Sequence, residues 1–509
     1  MGQTTLILMI LTVISKIFGF VRESVMAAYI GAGELKSIYT TAITIPAILN
    51  NVIASGILTG FIPTYNKIIN DSGEEDADKF TSNIINILFI IGTIFLLLVL
   101  IFARYISIAL SPKLSGDWLY LASTYTRIMI FSVYAFFYAS ITKGYLNIKG
   151  NFVDPILSNL IFNVLVIIFI VLYSKYDNPL ILIIGTLMAN VLQFIRLPWV
   201  TKKYGYNHKF ILDFSDRYIR YLLIMVIPII ISSAADEISL IIDNSMASAF
   251  FGVASISKIF YAKSMLRFIL GVVTFSVATV TFPEIAKLGQ KGDIEPLKNK
   301  ITSSLILSMV LVIPATIGMM VLSRPIIQIA FERNAFTNQD TLNVSSLLLA
   351  YGPYIIFASI IRIMSNGYYS LGDAKTPVII VIVQQILNVI LNFISIKFFG
   401  IEGLAYSTCI STAIGSVLLL FYFNIKYAEI VNIELLTSIA KILFSSLLMG
   451  LLAYIIFSNL QFKLIISLLL TVLICSSFYM ILIINFKIEQ IQIVVEDIKI
   501  KLNNLRPKF

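Results

Sequence analysis

The sequence predicts an all-α polytopic membrane protein of 14 transmembrane helices, built as two pseudo-symmetric six-helix lobes plus two C-terminal helices. Three observations predict this class: the composition, the lengths of the apolar segments and a repeat of about 220 residues. Of the 509 residues, 58% are hydrophobic and only 13% are charged, and the mean hydropathy is +0.93. These values are typical of polytopic membrane proteins and exclude an ordinary soluble domain.

A membrane-spanning helix needs about 20 mainly apolar residues, and fourteen segments approach or exceed that length. They are residues 5–30, 38–65, 84–110, 124–146, 155–173, 180–200, 221–251, 256–282, 304–322, 345–371, 377–399, 404–427, 442–458 and 464–486. The first segment is too long for a removable signal peptide and lacks its basic leader, so we interpret it as a retained span. Residues 487–509 alternate apolar and charged residues at helical spacing, which predicts an amphipathic cytoplasmic tail.

The net charge of +10 comes from basic residues scattered over many short loops. Lys202, Lys203 and Lys209 share one such loop, and Lys287 and Lys291 share another. Because cytoplasmic loops are enriched in Lys and Arg, this pattern predicts that both termini are cytoplasmic. A scattered charge does not form the single patch that nucleic-acid binding requires, so no nucleic-acid partner is expected.

Similar residues recur at one spacing along the chain. The pairs Pro63 and Pro283, Gly31 and Gly252, and Gly185 and Gly403 are all about 220 residues apart. Two lobes with the same orientation in the membrane would produce this pattern, because each would contain an even number of spans. The predicted division is an N-lobe at 1–200, an inter-lobe linker at 201–220, a C-lobe at 221–427, spans 13 and 14 at 428–486, and the tail at 487–509.

The first span carries three charges, Lys16, Arg22 and Glu23, inside an otherwise apolar segment. A charge near the bilayer centre costs roughly 2.5–3.5 kcal/mol, so such residues normally face a partner or a water-filled cavity. In one interpretation, Arg22 and Glu23 pair with each other or reach the interface. We favour the other, in which the charges line a cavity, because Lys16 lies near the middle of the span with no acidic residue nearby in sequence.

The repeat spacing places opposite charges at matching depths in the two lobes. Lys16 and Arg22 of span 1 correspond to Glu237 and Asp243 of span 7, where Asp236 adds a further carboxylate. These charges could form an ion-pair lattice between the lobes, or a binding site for an anion.

These spans carry more basic residues than nearby acidic ones, and this surplus favours the anion site. Lys263 and Arg267 lie one helical turn apart on span 8 and add to the surplus. A phosphate or diphosphate would suit it, since Arg offers a bidentate fork. Arg362 on span 10 is either a gate or a packing contact.

A weaker pattern lies on spans 11 and 12, which carry Asn388, Asn392 and Thr408. Together with Asp243 of span 7, these residues could offer oxygen ligands to a small cation, although amides within the membrane more often bond across helices. We therefore expect no resident metal or cofactor, while coupling to Na⁺ or H⁺ stays open. The sequence contains no HExxH, GxSxG or P-loop motif, which indicates a transporter rather than an enzyme.

Several motifs resemble those of one family. The segments SKIFGFVRE at 15–23, GAG at 31–33, GILTGFIPTYNK at 56–67, ERNAFT at 332–337 and GYYSLGDAKTPV at 367–378 resemble the MurJ/MviN family, within the multidrug/oligosaccharidyl-lipid/polysaccharide exporter superfamily. The resemblance implies fourteen spans, two lobes around a cationic cavity and a groove at spans 13 and 14 for a polyprenyl tail. It also implies that lipid II is flipped across the membrane for peptidoglycan synthesis.

Some positions follow the family pattern and others depart from it. Lys16 and Arg22 match its basic residues in span 1. Ser37 stands where the resemblance implies Asp, Asn50 and Asn51 where it implies an Arg pair, Ser55 where it implies Glu, and Lys263 with Ser264 where it implies Asp-Arg. We therefore add Asn51 and Ser55 to the candidate cavity residues. The departures leave open another polyprenyl-linked saccharide, of the capsule, teichoic or O-antigen type.

The expected function is therefore lipid II flipping by alternating access in the bacterial cytoplasmic membrane. Lys16, Arg22, Lys263 and Arg267 would hold the diphosphate, with Glu23 among the charge partners. Expected partners are the polyprenyl-diphosphate-linked saccharide, membrane lipids and cell-wall synthesis machinery, and the expected state is a monomer. The alternatives are a drug or cation antiporter with an acidic cavity, and a membrane scaffold that transports nothing.

Overall fold

The computed structural model describes the backbone of residues 2–492 and 496. Side chains are described for the same residues except 2–6, 9, 55, 228, 232, 236, 272–280 and 282. Throughout this part of the chain the regular structure is helical and contains no strand, which confirms the all-α class. The helices are α1 (Gly2–Ile30), α2 (Glu34–Ile48), α3 (Ser55–Ser72), α4 (Glu74–Leu110), α5 (Gly116–Met129), α6 (Ser132–Ile148), α7 (Val153–Tyr176), α8 (Pro179–Leu192), α9 (Leu197–Lys203), α10 (Arg217–Phe251), α11 (Ser255–Lys291), α12 (Ile294–Val321), α13 (Ser323–Phe331), α14 (Asn338–Tyr351), α15 (Tyr354–Ser370), α16 (Lys375–Phe399), α17 (Glu402–Lys426), α18 (Ile433–Asn459) and α19 (Leu464–Asn485).

Every predicted span coincides with helical structure. Ten helical segments of the described chain are long and apolar enough to cross a membrane, or eleven if α14 and α15, bent by 43°, count as one broken span. Helices α1, α5 with α6, and α11 lie outside that set, so the count of fourteen stays a prediction. The fourth predicted span is broken between α5 and α6, and the sixth between α8 and α9.

The second predicted span contains a π-helical segment. Residues Leu49–Ala54 form this segment between α2 and α3, and it includes Asn50 and Asn51. An insertion of this type widens the helix by one residue per turn and is frequent at functional sites. The irregularity therefore falls on two positions that the family resemblance had marked as departures.

The helices pack into two compact units. The first contains Met1–Phe260 and Phe331–Thr337, and the second contains Tyr261–Ala330 and Asn338–Phe509. In the first unit, α1 packs on α7, α2 on α5, and α10 on both α3 and α4. In the second, α16 packs on α17, and α18 packs on α12 and α19. The lobe boundaries inferred from the repeat stay a prediction, and the predicted tail helix at 487–509 lies mostly outside the described residues.

The segment between α9 and α10 is extended and fixed to α4 by two asparagines. The Asn83 amide donates to the Asp213 carbonyl at 2.7 Å, and its Oδ1 accepts the Asp213 N–H at 2.8 Å. Asn86 donates to the carbonyls of Lys209 and Ile211. These side chains satisfy backbone groups that would otherwise need partners in a sheet or helix. Part of the predicted linker therefore lies along α4 and is held there by hydrogen bonds.

Helices α16 and α17 bury polar side chains and expose apolar ones. Gln384 donates to Thr412 at 3.2 Å in their shared interface, whereas Ile386, Ile390 and Phe393 are exposed. This distribution suits helices that face lipid outside and bond to one another inside. Close approach requires a small residue, because a Cβ at Gly403 would lie 2.5 Å from the Ser395 carbonyl oxygen.

The loop between α15 and α16 is tied to the end of α17 through Asp373. Its carboxylate accepts from the Thr376 N–H and hydroxyl, from Lys426 Nζ at 2.7 Å and from the Tyr427 hydroxyl at 3.1 Å. Burial by itself raises the pKa of this carboxyl. The donors, led by Lys426, outweigh burial and lower the Asp373 pKa to about 2.

We predict that Gly403→Ala lowers the free energy of unfolding by roughly 1–3 kcal/mol, because the new Cβ collides with backbone that cannot rotate away. Gly318→Ala is the matched control: its Cβ would meet only the tip of Met449 at 3.7 Å, in ordinary contact. Alanine is also the better helix former, so the control should be neutral or stabilising. The thermal midpoints of the detergent-solubilised proteins measure both effects, and equal midpoints for the two variants would contradict the packing.

We predict that Asp373→Asn lowers the free energy of unfolding by about 1–2 kcal/mol at neutral pH, since one pKa unit corresponds to about 1.4 kcal/mol. The folded pKa lies below the ordinary 3.8, so the stabilisation is complete above about pH 4 and is lost as the pH falls towards 2. Thermal midpoints of wild type and variant should therefore converge in acid. Asp76→Asn, which breaks an exposed pair with Lys79, is the control and should show little difference at any pH.

Candidate substrate-binding site

Three charged side chains of the first unit meet around one carboxylate, and we call Arg22, Glu23 and Lys36 the Glu23 cluster. Glu23 Oε1 accepts from Arg22 Nη2 at 2.6 Å and from Arg22 Nε at 3.2 Å. Glu23 Oε2 accepts from Lys36 Nζ at 3.3 Å. The cluster therefore holds two cations and one anion, which leaves one net positive charge.

Chain geometry brings Lys36 back to Glu23. Helix α1 ends at Ile30, and Gly31 reverses the chain with φ = +73°, a conformation that favours glycine. Helix α2 begins three residues after Gly31, and the long Lys36 side chain in its first turn reaches back to Glu23 on α1. The GAG motif is thus a turn that places the second cation at the cluster.

Burial within the cluster is uneven. The Lys36 side chain is 0% exposed and that of Glu23 is 9% exposed, whereas that of Arg22 is 22% exposed. Lys36 Nζ lies 4.2 Å from the centre of the Phe260 ring and 5.2 Å from that of Tyr39. These rings offer negative faces to a cation that has lost its water.

A second family motif covers the GAG turn within the same unit. In the ERNAFT segment, the Ala335 N–H donates to the Ala28 carbonyl at 3.0 Å, and Arg333 Nη1 donates to the Ser24 hydroxyl at 2.7 Å. A side chain at Gly31 would place its Cβ 2.5 Å from the Ala335 carbonyl oxygen. The two motifs therefore fit each other closely, although about 300 residues separate them in sequence.

Ser37, where the resemblance implies Asp, makes neutral hydrogen bonds. Its hydroxyl is fully buried, donates to the Gly33 carbonyl at 3.2 Å and accepts the Ser257 N–H at 3.1 Å. Ser257 in turn donates to the Ala32 carbonyl at 2.5 Å. The position is structural in this chain and brings no negative charge to the cluster.

Asn51 and Glu237 are brought together. Asn51 Nδ2, in the π-helical segment, donates to Glu237 Oε1 on α10 at 2.9 Å. A neutral amide therefore contacts this carboxylate at a position where the resemblance implies arginine. The side chains of Ser55 and Asp236, also predicted for the site, lie outside the described residues.

The remaining predicted cations lie on α1, α11 and α15. Lys16 is half-buried on α1 and forms no hydrogen bond or ion pair with any side chain that the structure describes. In the second unit, Lys263 Nζ lies 5.3 Å from the Tyr351 ring, Arg267 is exposed one turn further along α11, and Arg362 is exposed on α15.

The weak candidate cation site divides between the two units. In the second unit, Asn388 Nδ2 donates to the Thr408 hydroxyl at 3.3 Å, and Asn392 Nδ2 donates to Asn388 Oδ1 at 3.4 Å. Asp243 is buried on α10 of the first unit. The amides thus bond along and across helices, which is common in membranes, and the cation site stays a prediction.

Sequence reasoning missed Lys36. It lies between the predicted spans 5–30 and 38–65, so it was counted as part of a loop. The signal that could have found it is its place two residues into the helix that follows the GAG turn, directly before a long apolar segment. A lysine there must find an acid or remain at the membrane surface.

Comparison with known proteins finds similarity over most of the chain. The family described as Lipid II flippase MurJ matches residues 26–474. The probable lipid II flippase MurJ of Rickettsia prowazekii is 27% identical, with 88% of this chain and 89% of the relative covered. That of Vibrio cholerae is 26% identical, with 82% of each covered.

Solved structures show the same similarity. An inward closed conformation of lipid II flippase MurJ aligns with a TM-score of 0.81 at 26% identity, covering 94% of this chain and 98% of the other. An inward-facing multidrug transporter of the MATE family aligns with a TM-score of 0.68 at 13% identity, covering 81% of this chain and 94% of that transporter. The second alignment shows a shared fold alone.

We predict that Glu23→Gln lowers the free energy of unfolding by about 3–5 kcal/mol, because it removes the carboxylate that pairs with both cations and leaves Lys36 buried without it. Adding Lys36→Met to Glu23→Gln should recover much of the loss, since it removes the more deeply buried cation. Glu34→Gln, at an exposed position in the first turn of α2, is the control. Thermal unfolding measures all three, and equal losses for Glu23→Gln and Glu34→Gln would contradict the ion-pair geometry.

Proposed function

Because this chain belongs to the lipid II flippase MurJ family, we propose that it moves lipid II, an undecaprenyl-diphosphate-linked peptidoglycan precursor, between the leaflets of the bacterial cytoplasmic membrane. Membership of this family makes it a multi-pass membrane transporter with a lipid-linked substrate, and not an enzyme. The observation that carries the proposal is the Glu23 cluster, in which two cations contact one carboxylate at the predicted first span and the start of α2.

The chemistry of the cluster suits a diphosphate. A buried charge is expensive in a membrane and is normally retained for a function. The fork of Arg22 can give two parallel hydrogen bonds to phosphate oxygens. Lys16, half-buried on the same helix, adds a second positive charge to the proposed site.

We assign the other two cations of the proposed site to the predicted C-lobe at 221–427. They are Lys263 and Arg267, which lie one turn apart on α11. With Lys16 and Arg22 in the predicted N-lobe at 1–200, the headgroup would be held between two bodies that rock about it. This is alternating access, in which the substrate favours different conformations at successive steps.

The lipid tail requires an apolar path. Helices α18 and α19, within residues 428–486, expose Phe444, Leu451, Leu469 and Leu473. We assign the polyprenyl tail to this surface, where burying each methylene contributes about 0.8 kcal/mol. The tail then stays in an apolar environment while the charged headgroup crosses.

Both termini are proposed to be cytoplasmic, following the distribution of Lys and Arg. A cationic site in an inside-negative cell responds to voltage, at about 2.3 kcal/mol per charge per 100 mV. The membrane potential can therefore contribute to driving the cycle. Na⁺ or H⁺ coupling at Asp243, monomeric function and contact with wall-synthesis machinery remain parts of the proposal.

Two positions that depart from the family pattern favour a second class of substrate that also carries a polyprenyl diphosphate. Ser37 and Asn51 are neutral where the resemblance implies charged residues, and both bond to other residues of the chain. These changes would alter recognition of the sugar and peptide more than of the diphosphate. A flippase for another polyprenyl-linked saccharide is therefore the second candidate. A drug or cation antiporter would need a surplus of acid, whereas the Glu23 cluster is net positive.

We predict that the wild-type gene restores growth to a bacterium depleted of its own lipid II flippase, whereas Arg22→Ala and Lys263→Ala reduce or abolish rescue at equal protein abundance. Each substitution removes one positive charge from the proposed diphosphate site. Lys67→Met also removes one charge and is the matched control, because Lys67 lies on α3 with its Nζ 4.1 Å from the Tyr221 ring, whereas the Glu23 cluster lies on α1 and α2. Translocation of labelled lipid II in vesicles measures the activity directly.

The outcomes separate the candidates. Rescue that requires Arg22, together with lipid II translocation, supports the proposed function. Translocation of another polyprenyl-linked saccharide but not lipid II would favour the second candidate. Rescue without any translocation would instead favour a scaffold that recruits wall-synthesis enzymes.

A further inference from the structure

We propose that Lys36 is a positioning residue that allows Arg22 to leave Glu23 and bind the substrate's diphosphate. The inference rests on the proposed function, because it concerns the same anion site. It assigns separate roles to the two cations of the Glu23 cluster: Arg22 contacts the ligand, and Lys36 holds the carboxylate that Arg22 leaves behind.

The two cations occupy different oxygens of the same carboxylate. Arg22 donates to Oε1 through Nη2 at 2.6 Å and Nε at 3.2 Å, while Lys36 lies 3.3 Å from Oε2. Arg22 can therefore turn away without disturbing the contact that Lys36 makes. A carboxylate with a single cation would have no such second contact.

Their surroundings allow only one of them to reach a ligand directly. The Lys36 side chain is 0% exposed and lies over the rings of Phe260 and Tyr39. The Arg22 side chain is 22% exposed, and its guanidinium carbon lies 5.2 Å from the Phe162 ring, which leaves part of the fork open. Arg22 is thus the exchangeable cation, and Lys36 is the fixed one.

The energetic reason is the cost of a buried, unpaired carboxylate. Glu23 is 7% exposed, and its partners among the described residues are Arg22 and Lys36. Without Lys36, a diphosphate could take Arg22 only by leaving this carboxylate without a cation, which is strongly unfavourable. With Lys36 in place, Glu23 keeps a charge-assisted contact throughout. Lys36 therefore raises the affinity for the diphosphate without touching it.

A simpler role must be distinguished from this one. Lys36 could attract an anion only through its long-range field, which would act whether or not Arg22 is present. An exchange role acts only through Arg22. The two roles therefore differ in their prediction for a protein that already lacks Arg22.

The test measures binding of a fluorescent polyprenyl diphosphate to the purified full-length protein in detergent. Lys36→Met should weaken binding by roughly tenfold or more, on the scale of losing a partner of a buried charge pair. In the Arg22→Ala background, adding Lys36→Met should cause no further loss. Lys36→Arg should retain near wild-type affinity, and Glu23→Gln added to Lys36→Met should restore it, because Arg22 no longer has a carboxylate to leave.

Matched controls separate this role from simple loss of structure. Thermal midpoints confirm that each variant is folded, and Lys67→Met removes a lysine charge without contact to Glu23 and should bind like wild type. An equal fall for Lys36→Met with and without Arg22 would overturn the inference and leave a field effect. Wild-type affinity for Lys36→Met would also overturn it, while the proposed function would stand. A wild-type protein that binds no polyprenyl diphosphate would overturn the proposed function, and this inference with it.

Discussion

The cost of placing charge among apolar helices constrains this structure more than any other interaction. A carboxylate at Glu23 needs a cation, and the structure provides two, from opposite sides of the GAG turn. The turn at Gly31, with φ = +73°, directs the chain so that Lys36 reaches Glu23. The ERNAFT segment then packs over the same turn through Ala335 and Arg333. The pairing of Glu23 therefore involves three motifs of the sequence: the charged end of α1, the GAG turn and the ERNAFT segment that packs on that turn.

Each unit also contains an ion pair in which an aspartate shortly before the proline of a predicted span contacts a basic residue. In the first unit, Asp154 precedes Pro155 and pairs with Arg196 at 2.9 Å, just before α9. In the second, Asp373 lies four residues before Pro377 and pairs with Lys426 at the end of α17. Asp154 and Asp373 are 219 residues apart in the sequence, close to the repeat spacing of about 220 residues. The two ion pairs are of the kind that the predicted internal repeat would produce.

Hydrophobicity alone was enough to predict where the helices lie, because a span is defined by length and composition over about 20 residues. It could not predict the breaks in the fourth and sixth spans or the π-helical segment at Leu49–Ala54, which depend on tertiary packing. The candidate site was predicted in part. Arg22 and Glu23 were identified because a charge within an apolar segment is energetically costly. Lys36 was not identified because it lies just outside a predicted span. The bond between Ser37 and Ser257 joins residues 220 apart, which no local pattern reveals.

The charges at the candidate site differ from those that the family resemblance implies. The resemblance implies an acid at position 37 and an arginine pair in span 2, and this chain has Ser37, Asn50 and Asn51 instead. Losing an arginine pair would weaken an anion site, whereas losing the acid strengthens it. In this chain Lys36 provides a cation beside Glu23, and the Glu23 cluster has one net positive charge. Because Lys36 is fully buried, the surplus reaches a ligand through Arg22, whose freedom to change partners depends on the lysine behind it.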